Sequence, residues 1–543
     1  MKKRWLALLL AVTMIVGLTA CGKTNKPSTD DGKNNPTSGA QTGGDTKTDG
    51  DTSGGDTAGI DTSEHVVINY MTTGDPKDNG ATEAMLEELN KILTEKVNAE
   101  LQIYYIGWTD YLANYNLTLA QMDGSVDLVG TASDWLDAWP NAKNGAFLEL
   151  SEDMLKTYAP KTWASVSPEH WELCKYNGEI YLMPEDNYAQ WVNHGYAYRL
   201  DWAKQAGLAN GVHSWEDMTT YFEWVKKNIT DINIPWDSDG THHSQMVGGW
   251  IASHTDWVTI DGLSAGALWG GMKNDLYTIV SPYYDDAALL VEYAKMMKKW
   301  DEIGVWKTDV LNNTGVDNRE DFKIGKVAAE QHHTQTWTDL VSKTPLNVEG
   351  AEVGFFYWGE ETNNVVALSI THGAMAVSAA SKNPERALMV YDLLRNDPEC
   401  YQLLNYGQKG VQWDINADGL RIEAPGYDRA TQEIVTNYWW GRNDDLEIRD
   451  ATRDWNAIDA LYAKYDSLKI DYPYGQFVPD VDNIQSMISN ISEVHTNYMK
   501  QISYGKYKGT AEEIVAEYQK ALKNAGFEEV TAELQRQFDA LYK

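Results

Sequence analysis

Short β-forming runs alternate with an amphipathic helical segment where the folded part of the chain begins. Val66 to Tyr70 is a β-type run, Thr82 to Asn98 has apolar residues at helical spacing, and Glu100 to Ile106 is again β-type. Strand, helix and strand in this order open a βαβ unit. Further β-type runs lie at 125–129, 178–184 and 194–200, and further helical segments at 285–303 and 384–395. We therefore predict an α/β fold in which helices cover parallel sheets.

The amino terminus is similar to a bacterial lipoprotein signal. The basic start Lys2-Lys3-Arg4 precedes an apolar stretch over 5–17 that is too short to span a bilayer, and Leu18-Thr19-Ala20-Cys21 follows. This resemblance implies that residues 1–20 are a signal peptide and that Cys21 becomes the lipidated amino terminus. Acyl chains would then hold the protein at the extracellular face of the cell membrane. An ordinary cleaved signal with a chance cysteine is the alternative.

The segment after the signal is polar and rich in glycine. Residues 23–64 are dominated by Gly, Ser, Thr, Asp, Asn and Lys. Because a segment with so little apolar content cannot bury a core, we predict that 21–64 comprises the lipidated cysteine and a disordered tether. The whole chain has 543 residues and a hydrophobic content of 43%, which is sufficient for more than one folded domain.

Charge and cysteine content exclude several classes of protein. The formal net charge is −35, and a nucleic-acid partner is not expected because phosphate binding requires clustered cations. Beyond the signal, no apolar segment reaches the ~20 residues needed to cross a membrane, which excludes a membrane pore. Apart from Cys21, only Cys174 and Cys400 occur, and we predict two separate buried thiols. We expect a monomer.

Five short runs follow one another in the order typical of one protein family. They are Tyr176–Tyr181 with Met183-Pro184, Tyr198–Asp201, Ser214–Asp217, Phe322–Ala329 and Ala380–Ala387. With these runs the chain resembles the family 1 extracellular solute-binding proteins that capture oligosaccharides for ABC importers of Gram-positive bacteria. Residues from Leu403 onwards are similar to an extension found in a Firmicute lipoprotein subgroup.

The resemblance implies a two-lobe periplasmic-binding-protein-like (class II) fold with hinge segments and a helical C-terminal extension. The first lobe would comprise 65–185 with about 365–400, and the second lobe 186–364 with about 401–543. Hinge crossings are expected near 183–188 and 365–371. Proteins of this kind hold an oligosaccharide between the lobes, close around it and deliver it to ABC permease subunits.

Tryptophan is unusually frequent, with 22 residues against 8 phenylalanines. Core packing alone does not favour so many indoles, because each buried N–H group needs a hydrogen-bond partner. A flat indole can stack on the C–H face of a sugar while polar side chains bind its hydroxyls. The enrichment therefore favours a carbohydrate-binding cleft, although any single tryptophan is more often a packing residue.

Candidate ligand-binding residues follow β-type runs or lie in loops that the resemblance places at the cleft. Ligands of open α/β sheets gather beyond the carboxyl ends of strands, which supports the choice. In the first lobe and after the first crossing the candidates are Trp108, Asp134, Trp135, Asn187 and Trp191. In the rest of the chain they are Trp236, His243, Trp250, His333, Trp337, Trp358, Trp439 and Trp440.

Metal and cofactor sites are not expected. Adjacent histidines on a strand, such as His332-His333, point to opposite faces, and no Cys or His at ligand spacing completes a site. Residues 414–418 imitate the start of a calcium-binding EF-hand loop, but its twelfth position is Pro425. We predict a hairpin turn at 416–419 instead.

Two other functions remain as alternatives. A glycoside hydrolase needs two carboxyl groups facing each other across a cleft, and Glu185-Asp186 is the one pair near a predicted crossing. A binder of peptides or other small solutes would need a cation for the ligand carboxylate, and Arg199 is the obvious candidate. Serine hydrolase, zinc protease and phosphate-loop motifs do not occur, so we do not expect an enzyme.

Overall fold

A computed structural model describes residues 60–185, 193–260, 268–313 and 316–543, and residues 61–543 form one compact unit. The predicted signal peptide, the predicted lipidation of Cys21 and nearly all of the predicted tether lie outside the described residues. Within the described ranges, no helix combines the length and the apolar character needed to cross a membrane.

Strands and helices alternate along the chain. The strands are β1 (Val66–Thr73), β2 (Ala99–Ile106), β3 (Leu128–Thr131), β4 (Lys175–Tyr176), β5 (Glu179–Ile180), β6 (Met183–Pro184), β7 (His194–Arg199), β8 (Trp257–Thr259), β9 (Gly270–Met272), β10 (Asp275–Val280), β11 (Ala329–His333), β12 (Val353–Tyr357), β13 (Ala374–Val377), β14 (Trp413–Ile415) and β15 (Arg421–Glu423).

The α-helices are α1 (Ala81–Val97), α2 (Tyr111–Gln121), α3 (Ala138–Lys143), α4 (Glu152–Tyr158), α5 (Pro160–Ser165), α6 (Pro168–Glu172), α7 (Leu200–Gln205), α8 (Trp215–Asn228), α9 (His243–His254), α10 (Pro282–Asp285), α11 (Ala287–Ile303), α12 (Asn318–Lys323), α13 (Thr334–Asn347), α14 (Pro384–Asn396), α15 (Pro398–Tyr406), α16 (Arg429–Gln432), α17 (Trp455–Leu468), α18 (Gln485–Ser503), α19 (Ala511–Asn524) and α20 (Phe527–Tyr542). Short 3-10 helices lie at Val310–Asn312 and Asp444–Leu446.

The first sheet has five strands in the order β2-β1-β3-β13-β6. β1 pairs in parallel with β2 along its whole length and in parallel with β3. α1 connects β1 to β2 and buries Met85, Leu89 and Leu93, which are spaced four residues apart on one face. The predicted opening βαβ unit is therefore confirmed.

The second sheet has three strands in the order β11-β7-β12, and every pair is antiparallel. β13 also runs antiparallel to β3 and β6 in the first sheet. The α/β class is confirmed, but the prediction of parallel sheets is wrong for these strands. A sequence pattern locates a strand but does not show whether it pairs in parallel or antiparallel with its neighbour. Here the paired strands are far apart in the chain.

The second sheet is covered by a core of aromatic rings. Tyr196 of β7 is fully buried and meets Trp215, Trp236 and Trp300 edge to face, with ring centroids 5.4 to 6.0 Å apart. α18, α19 and α20 pack against α9, α11 and β10 and share this core. The predicted helical C-terminal extension is thus present.

The chain passes between the two sheets at several places. It leaves the first sheet at Pro184 of β6 and enters the second at His194 of β7, and it returns between β12 and β13. The predicted crossing at 365–371 lies within the second passage, whereas the one near 183–188 begins in β6 and continues outside the described residues. Val365 accepts a hydrogen bond of 3.0 Å from the Ile470 N–H, so a third passage of the chain runs beside the second. The predicted lobe boundaries stay a prediction.

Two smaller predictions are confirmed. β14 and β15 form an antiparallel hairpin, in which the Gly419 N–H donates to the Asn416 carbonyl at 3.1 Å and Gly419 takes a φ of +79°. Glycine adopts this left-handed conformation without steric cost. Cys174 and Cys400 are both buried and are not joined by a disulfide.

Candidate ligand-binding cleft

Two tryptophans follow the ends of parallel strands in the first sheet. Trp108 lies two residues after β2, and Trp135 lies four residues after β3. The carboxyl ends of parallel strands meet at the same edge of a sheet, so their following loops approach each other. The two rings are nearly parallel, with centroids 6.3 Å apart and an angle of 22°.

A second pair, Trp439 and Trp440, lies at this edge because the segment before it is hydrogen-bonded to side chains of β1. The Asn437 carbonyl accepts hydrogen bonds from Tyr70 OH and Thr72 Oγ1, both 2.9 Å long. Trp440 stacks on Trp135 at 5.8 Å, and Trp439 stacks on Trp108 at 6.2 Å.

The four rings have different exposure. Trp440 is 1% exposed and its Nε1–H donates to Thr72 Oγ1 at 3.2 Å, whereas Trp108 and Trp439 are 44% and 42% exposed. A Cβ on Gly130 would overlap the Trp440 indole, so only glycine admits the ring above β3. Trp440 therefore supports the cluster from below, and Trp108 and Trp439 are its two exposed members. We call Trp108, Trp135, Trp439 and Trp440 the tryptophan cluster.

A cavity of about 650 Å³ opens beside the tryptophan cluster. Its polar lining comes from both sheets and from the C-terminal part of the chain, namely Asp134, Glu185, His333, Gln335, His372, Asn405, Arg442 and Glu447. Aromatic faces combined with carboxylate, amide and imidazole groups suit a ligand that has apolar faces and a polar rim.

Several polar groups in this cavity are fixed by partners within it. Asp134 Oδ2 and His372 Nδ1 are 2.8 Å apart. Arg442 Nε lies 3.2 Å from Asp444 and 3.6 Å from Glu447. Asp134 Oδ1 is buried without a hydrogen-bond partner among the described residues. A buried acceptor without a partner is costly, and a ligand hydroxyl could satisfy it.

The cleft continues towards the second sheet. A second cavity of about 360 Å³ shares Asp134 with the first and is lined by Trp358 and His194. A third cavity of about 480 Å³ shares His194 with the second and is lined by Asp237, Asp239, His242, Arg319, Glu330 and His332. The three cavities together run from the tryptophan cluster to a polar inner end. We call the whole feature the cleft.

Histidines near the inner end are electrically neutral at neutral pH. Burial lowers the pKa of His194 to about 4 and that of His333 to about 3. Burial also lowers the pKa of His332 and of His242, and the neighbouring imidazole of His333 adds to the effect on His332. Burial raises the pKa of Glu330 to about 6. Desolvation disfavours the charged form in each case.

The structure brings together six of the predicted site residues around the first cavity, namely Trp108, Asp134, Trp135, His333, Trp439 and Trp440. Trp358 lines the second cavity, and Trp236, although only 1% exposed, lines the third. Asn187 and Trp191 lie outside the described residues.

Three predicted residues lie elsewhere. Trp337 stacks on Phe355 at 5.6 Å inside a separate core of the second sheet. Trp250 stacks on His254 at 3.8 Å and lines a groove beside α11. His243 begins α9, and its carbonyl accepts a hydrogen bond from Ser503 at 3.1 Å. None of the three lines the cleft formed by the described residues.

Sequence reasoning missed several polar residues of the cleft. His372 directly follows the predicted crossing at 365–371, and His194 follows the first crossing, so their positions were available as a signal. Asn405, Arg442 and Glu447 reach the cavity through the path of the C-terminal part of the chain. No local pattern marks these three.

Known proteins resemble this chain over most of its length. The model of the bacterial extracellular solute-binding proteins matches residues 74–397, and a domain of unknown function (DUF3502) matches residues 473–543. A carbohydrate ABC transporter substrate-binding protein of Streptococcus pneumoniae is 25% identical over 505 residues, which are 91% of this chain and 94% of that protein.

Solved structures share the fold. The N-glycan transport solute binding protein of Streptococcus pneumoniae is 20% identical, with a TM-score of 0.66 and coverage of 88% of this chain and 99% of that one. An HMO binding ABC-transporter associated solute binding protein of Bifidobacterium longum infantis is 17% identical, with a TM-score of 0.60 and the same coverage. The resemblance inferred from the sequence is confirmed, since the family match extends over more than half of the chain. The chain belongs to the family of bacterial extracellular solute-binding proteins.

Proposed function

We propose that this protein captures an oligosaccharide in the cleft and delivers it, chemically unchanged, to the permease of an ABC importer. The observation that carries the proposal is the tryptophan cluster, in which two partly exposed indole rings lie beside carboxylate, amide and imidazole groups. Indoles stack on the C–H faces of sugar rings while polar groups bind the hydroxyls. The name of the relative in Streptococcus pneumoniae, a carbohydrate ABC transporter substrate-binding protein, supports the same class of ligand.

Closure of two lobes around the ligand is the mechanism we propose. Support comes from the lining of the cleft, because Trp108 and Trp135 follow strands of the first sheet whereas His194 and His333 belong to the second. A ligand that contacts both lobes binds the closed state better than the open state, and this difference in affinity shifts the population towards closure.

We assign the lobes by what each segment contacts. Residues 60–184 and 374–443 form the first lobe, because the Asn437 carbonyl and the Trp440 ring bind β1. Residues 193–357 and 465–543 form the second lobe, because Tyr465 packs on Tyr357 of β12 at 4.8 Å. This division moves 401–443 from the second lobe, where the sequence resemblance put it, to the first.

Neutral glycans are the ligands we propose. Several carboxylates line the inner end of the cleft, where Arg319 is the one cation among the lining residues that are described. The carboxylate of an acidic sugar or of a peptide would enter against these negative charges. Ligands that carry a free carboxylate, peptides among them, are therefore disfavoured.

We also propose that the mature protein is a monomer held at the extracellular face of the cell membrane by lipid on Cys21. The run Leu18-Thr19-Ala20-Cys21 supports the anchor. Metabolic labelling with palmitate and membrane fractionation test it, because a Cys21→Ser variant should lose both the label and the membrane association.

The binding function is tested by a thermal-shift screen followed by calorimetry on residues 61–543. Neutral oligosaccharides, uronic acid oligosaccharides and peptides are compared, and each ligand is analysed for cleavage afterwards. We expect a rise of the unfolding temperature with a neutral glycan that is recovered intact. Cleavage of the glycan would identify a glycoside hydrolase, and a response to peptides alone would refute the carbohydrate proposal.

A further inference from the structure

The region that matches a domain of unknown function, residues 473–543, packs directly behind the inner end of the cleft. Its helix α18 lies against α9, the helix that follows the cleft loop 236–242. Ile488, Ile491, Met499 and Ile502 are at most 1% exposed in the core that this region shares with the second sheet. The region is therefore part of the second lobe's core and not a separate appendage.

Tyr504, at the carboxyl end of α18, binds the cleft loop through its hydroxyl. Tyr504 OH and Ser238 Oγ are hydrogen-bonded at 2.7 Å, and Tyr504 OH accepts the His242 backbone N–H at 3.2 Å. Ser238 Oγ in turn accepts the Gly240 N–H at 3.2 Å. Ser238 and the last residue of the loop, His242, are thus tied to one fully buried side chain.

The loop has little space for another conformation. Gly240 has a φ of +83°, and a Cβ at this position would clash with the Val310 carbonyl. The Trp236 ring is buried against the Tyr504 ring, with centroids 6.4 Å apart. Asp237, Asp239, Thr241 and His242 of this loop line the third cavity. The conformation of the loop therefore sets the positions of these polar side chains in the cleft.

A chain of hydrogen bonds continues from Tyr504 into the cleft. The ring of His242 is hydrogen-bonded through Nδ1 to Gln331 Oε1, and Gln331 Nε2 donates to His194 Nδ1 at 3.1 Å. Gln331 is fully buried, and His194 lines both the second and the third cavity. A shift of His242 would therefore reach His194.

We infer that residues 473–543 hold the ligand-binding wall of the second lobe in place, with Tyr504 as the positioning residue. The inference rests on the proposed function, since it takes the inner end of the cleft to be part of the glycan site. Preorganisation of the loop raises affinity because the ligand then does not pay for ordering it.

The test compares Tyr504→Phe with the matched control Tyr507→Phe in the full chain. Tyr507 belongs to the same region, is also buried, and donates its hydroxyl to the Ala294 carbonyl at 3.0 Å, away from the cleft. Both variants lose one buried hydroxyl and keep the ring. We expect Tyr504→Phe to bind the glycan of the wild-type protein about tenfold more weakly, which corresponds to about a tenth of the molecules holding the loop in its native conformation. Tyr507→Phe should bind like the wild type.

A second measurement does not need a ligand. Hydrogen exchange of the backbone amides over 237–242 should accelerate in Tyr504→Phe and stay unchanged in Tyr507→Phe. Ser238→Ala removes the loop's partner of Tyr504 and should reproduce both effects, which guards against poor folding of one variant.

The outcomes separate the two proposals. If the wild type binds no glycan, the proposed function fails, while the exchange experiment still decides whether Tyr504 holds the loop. If the wild type binds and Tyr504→Phe binds equally well, the positioning role is refuted. Unchanged exchange over 237–242 in both Tyr504→Phe and Ser238→Ala would refute it as well.

Discussion

Trp108 and Trp439 are the accessible members of the tryptophan cluster, and they face the same cavity. Replacement of either by alanine removes one stacking face without leaving a buried hole. We expect each change to weaken glycan binding by about 1–3 kcal/mol. Calorimetric titration measures the loss, and thermal unfolding should change little.

The matched control for these variants is Trp163→Ala. Trp163 is partly buried, stacks on Trp171 at 5.0 Å and does not line any of the three cavities of the cleft. It should lose stability and keep its affinity for the glycan. An equal loss of affinity in Trp163→Ala would mean that the effect reports general unfolding and not contact with the ligand.

Gly130 is the residue that admits Trp440 beneath the cluster. In Gly130→Ala the new methyl group overlaps the indole ring, so the ring must shift together with Trp135, which stacks on it. Overpacking of this kind lowers the free energy of unfolding by about 1–3 kcal/mol, and we expect glycan affinity to fall as well. Denaturant unfolding measures the loss of stability, and calorimetric titration measures the loss of affinity.

At the residue scale, the sequence located the aromatic residues that line the cleft better than the polar ones. Trp108 and Trp135 could be placed because each follows a strand that local pattern identifies. Trp337 was assigned to the cleft from the resemblance, but α13 turns this ring onto Phe355. Asn405 and Glu447 enter the cavity through tertiary packing of distant segments, which no short pattern encodes.

At the scale of elements, β7, β11 and the start of α9 bring His194, His332, His333 and His242 to one place. Burial depresses the pKa of each below its usual value. The unfolded chain therefore binds protons on these rings near pH 6.5, whereas the folded protein binds them only at lower pH. Stability is present above the unfolded pKa and is lost as pH falls from about 6.5 towards the folded values of about 4 for His194 and about 3 for His333.

We expect the free energy of unfolding to decrease by about 3 kcal/mol for His194 alone when pH falls from 7 to 4. Glu330 acts in the opposite direction, because burial raises its pKa to about 6 and the folded protein then takes up its proton first. Denaturant unfolding between pH 4 and 7 measures the net slope of the free energy of unfolding against pH, which should be positive.

Two variants identify the source of this slope. His194→Gln should flatten it, and His495→Gln should flatten it by a similar amount, since burial lowers the pKa of His495 on α18 to about 3. A slope that is identical in His194→Gln and the wild type would contradict the assignment to the cleft histidines.

Elements were predictable where their pairing is local. β1, α1 and β2 follow directly from periodicity, and the turn at 416–419 follows from its residues. The direction of β13 was not predictable, because its neighbours β3 and β6 lie far away in the chain and pairing is decided by tertiary contact. The same reason hid the antiparallel order of β11, β7 and β12.

At the scale of the whole molecule, the proposed trap should close when the glycan binds. A donor and an acceptor dye on Glu87→Cys of α1 and Lys227→Cys of α8 report on the distance between the proposed lobes, since both positions are exposed. In residues 61–543 the native cysteines are Cys174 and Cys400, which are both buried, and burial raises the pKa of the Cys400 thiol to about 12, so dyes should label the new cysteines selectively.

We expect the glycan that raises the unfolding temperature to shift the energy-transfer distribution of this pair towards one compact state. A pair within the first lobe, Glu87→Cys with Asp153→Cys of α4, should not respond, because only motion between lobes is driven by contacts to both. In Trp439→Ala the same closed state should need a higher glycan concentration, since the ring contributes to affinity for that state. A ligand that binds with full affinity but leaves the distance between Glu87→Cys and Lys227→Cys unchanged would show that the cleft is already closed and that capture does not use lobe motion.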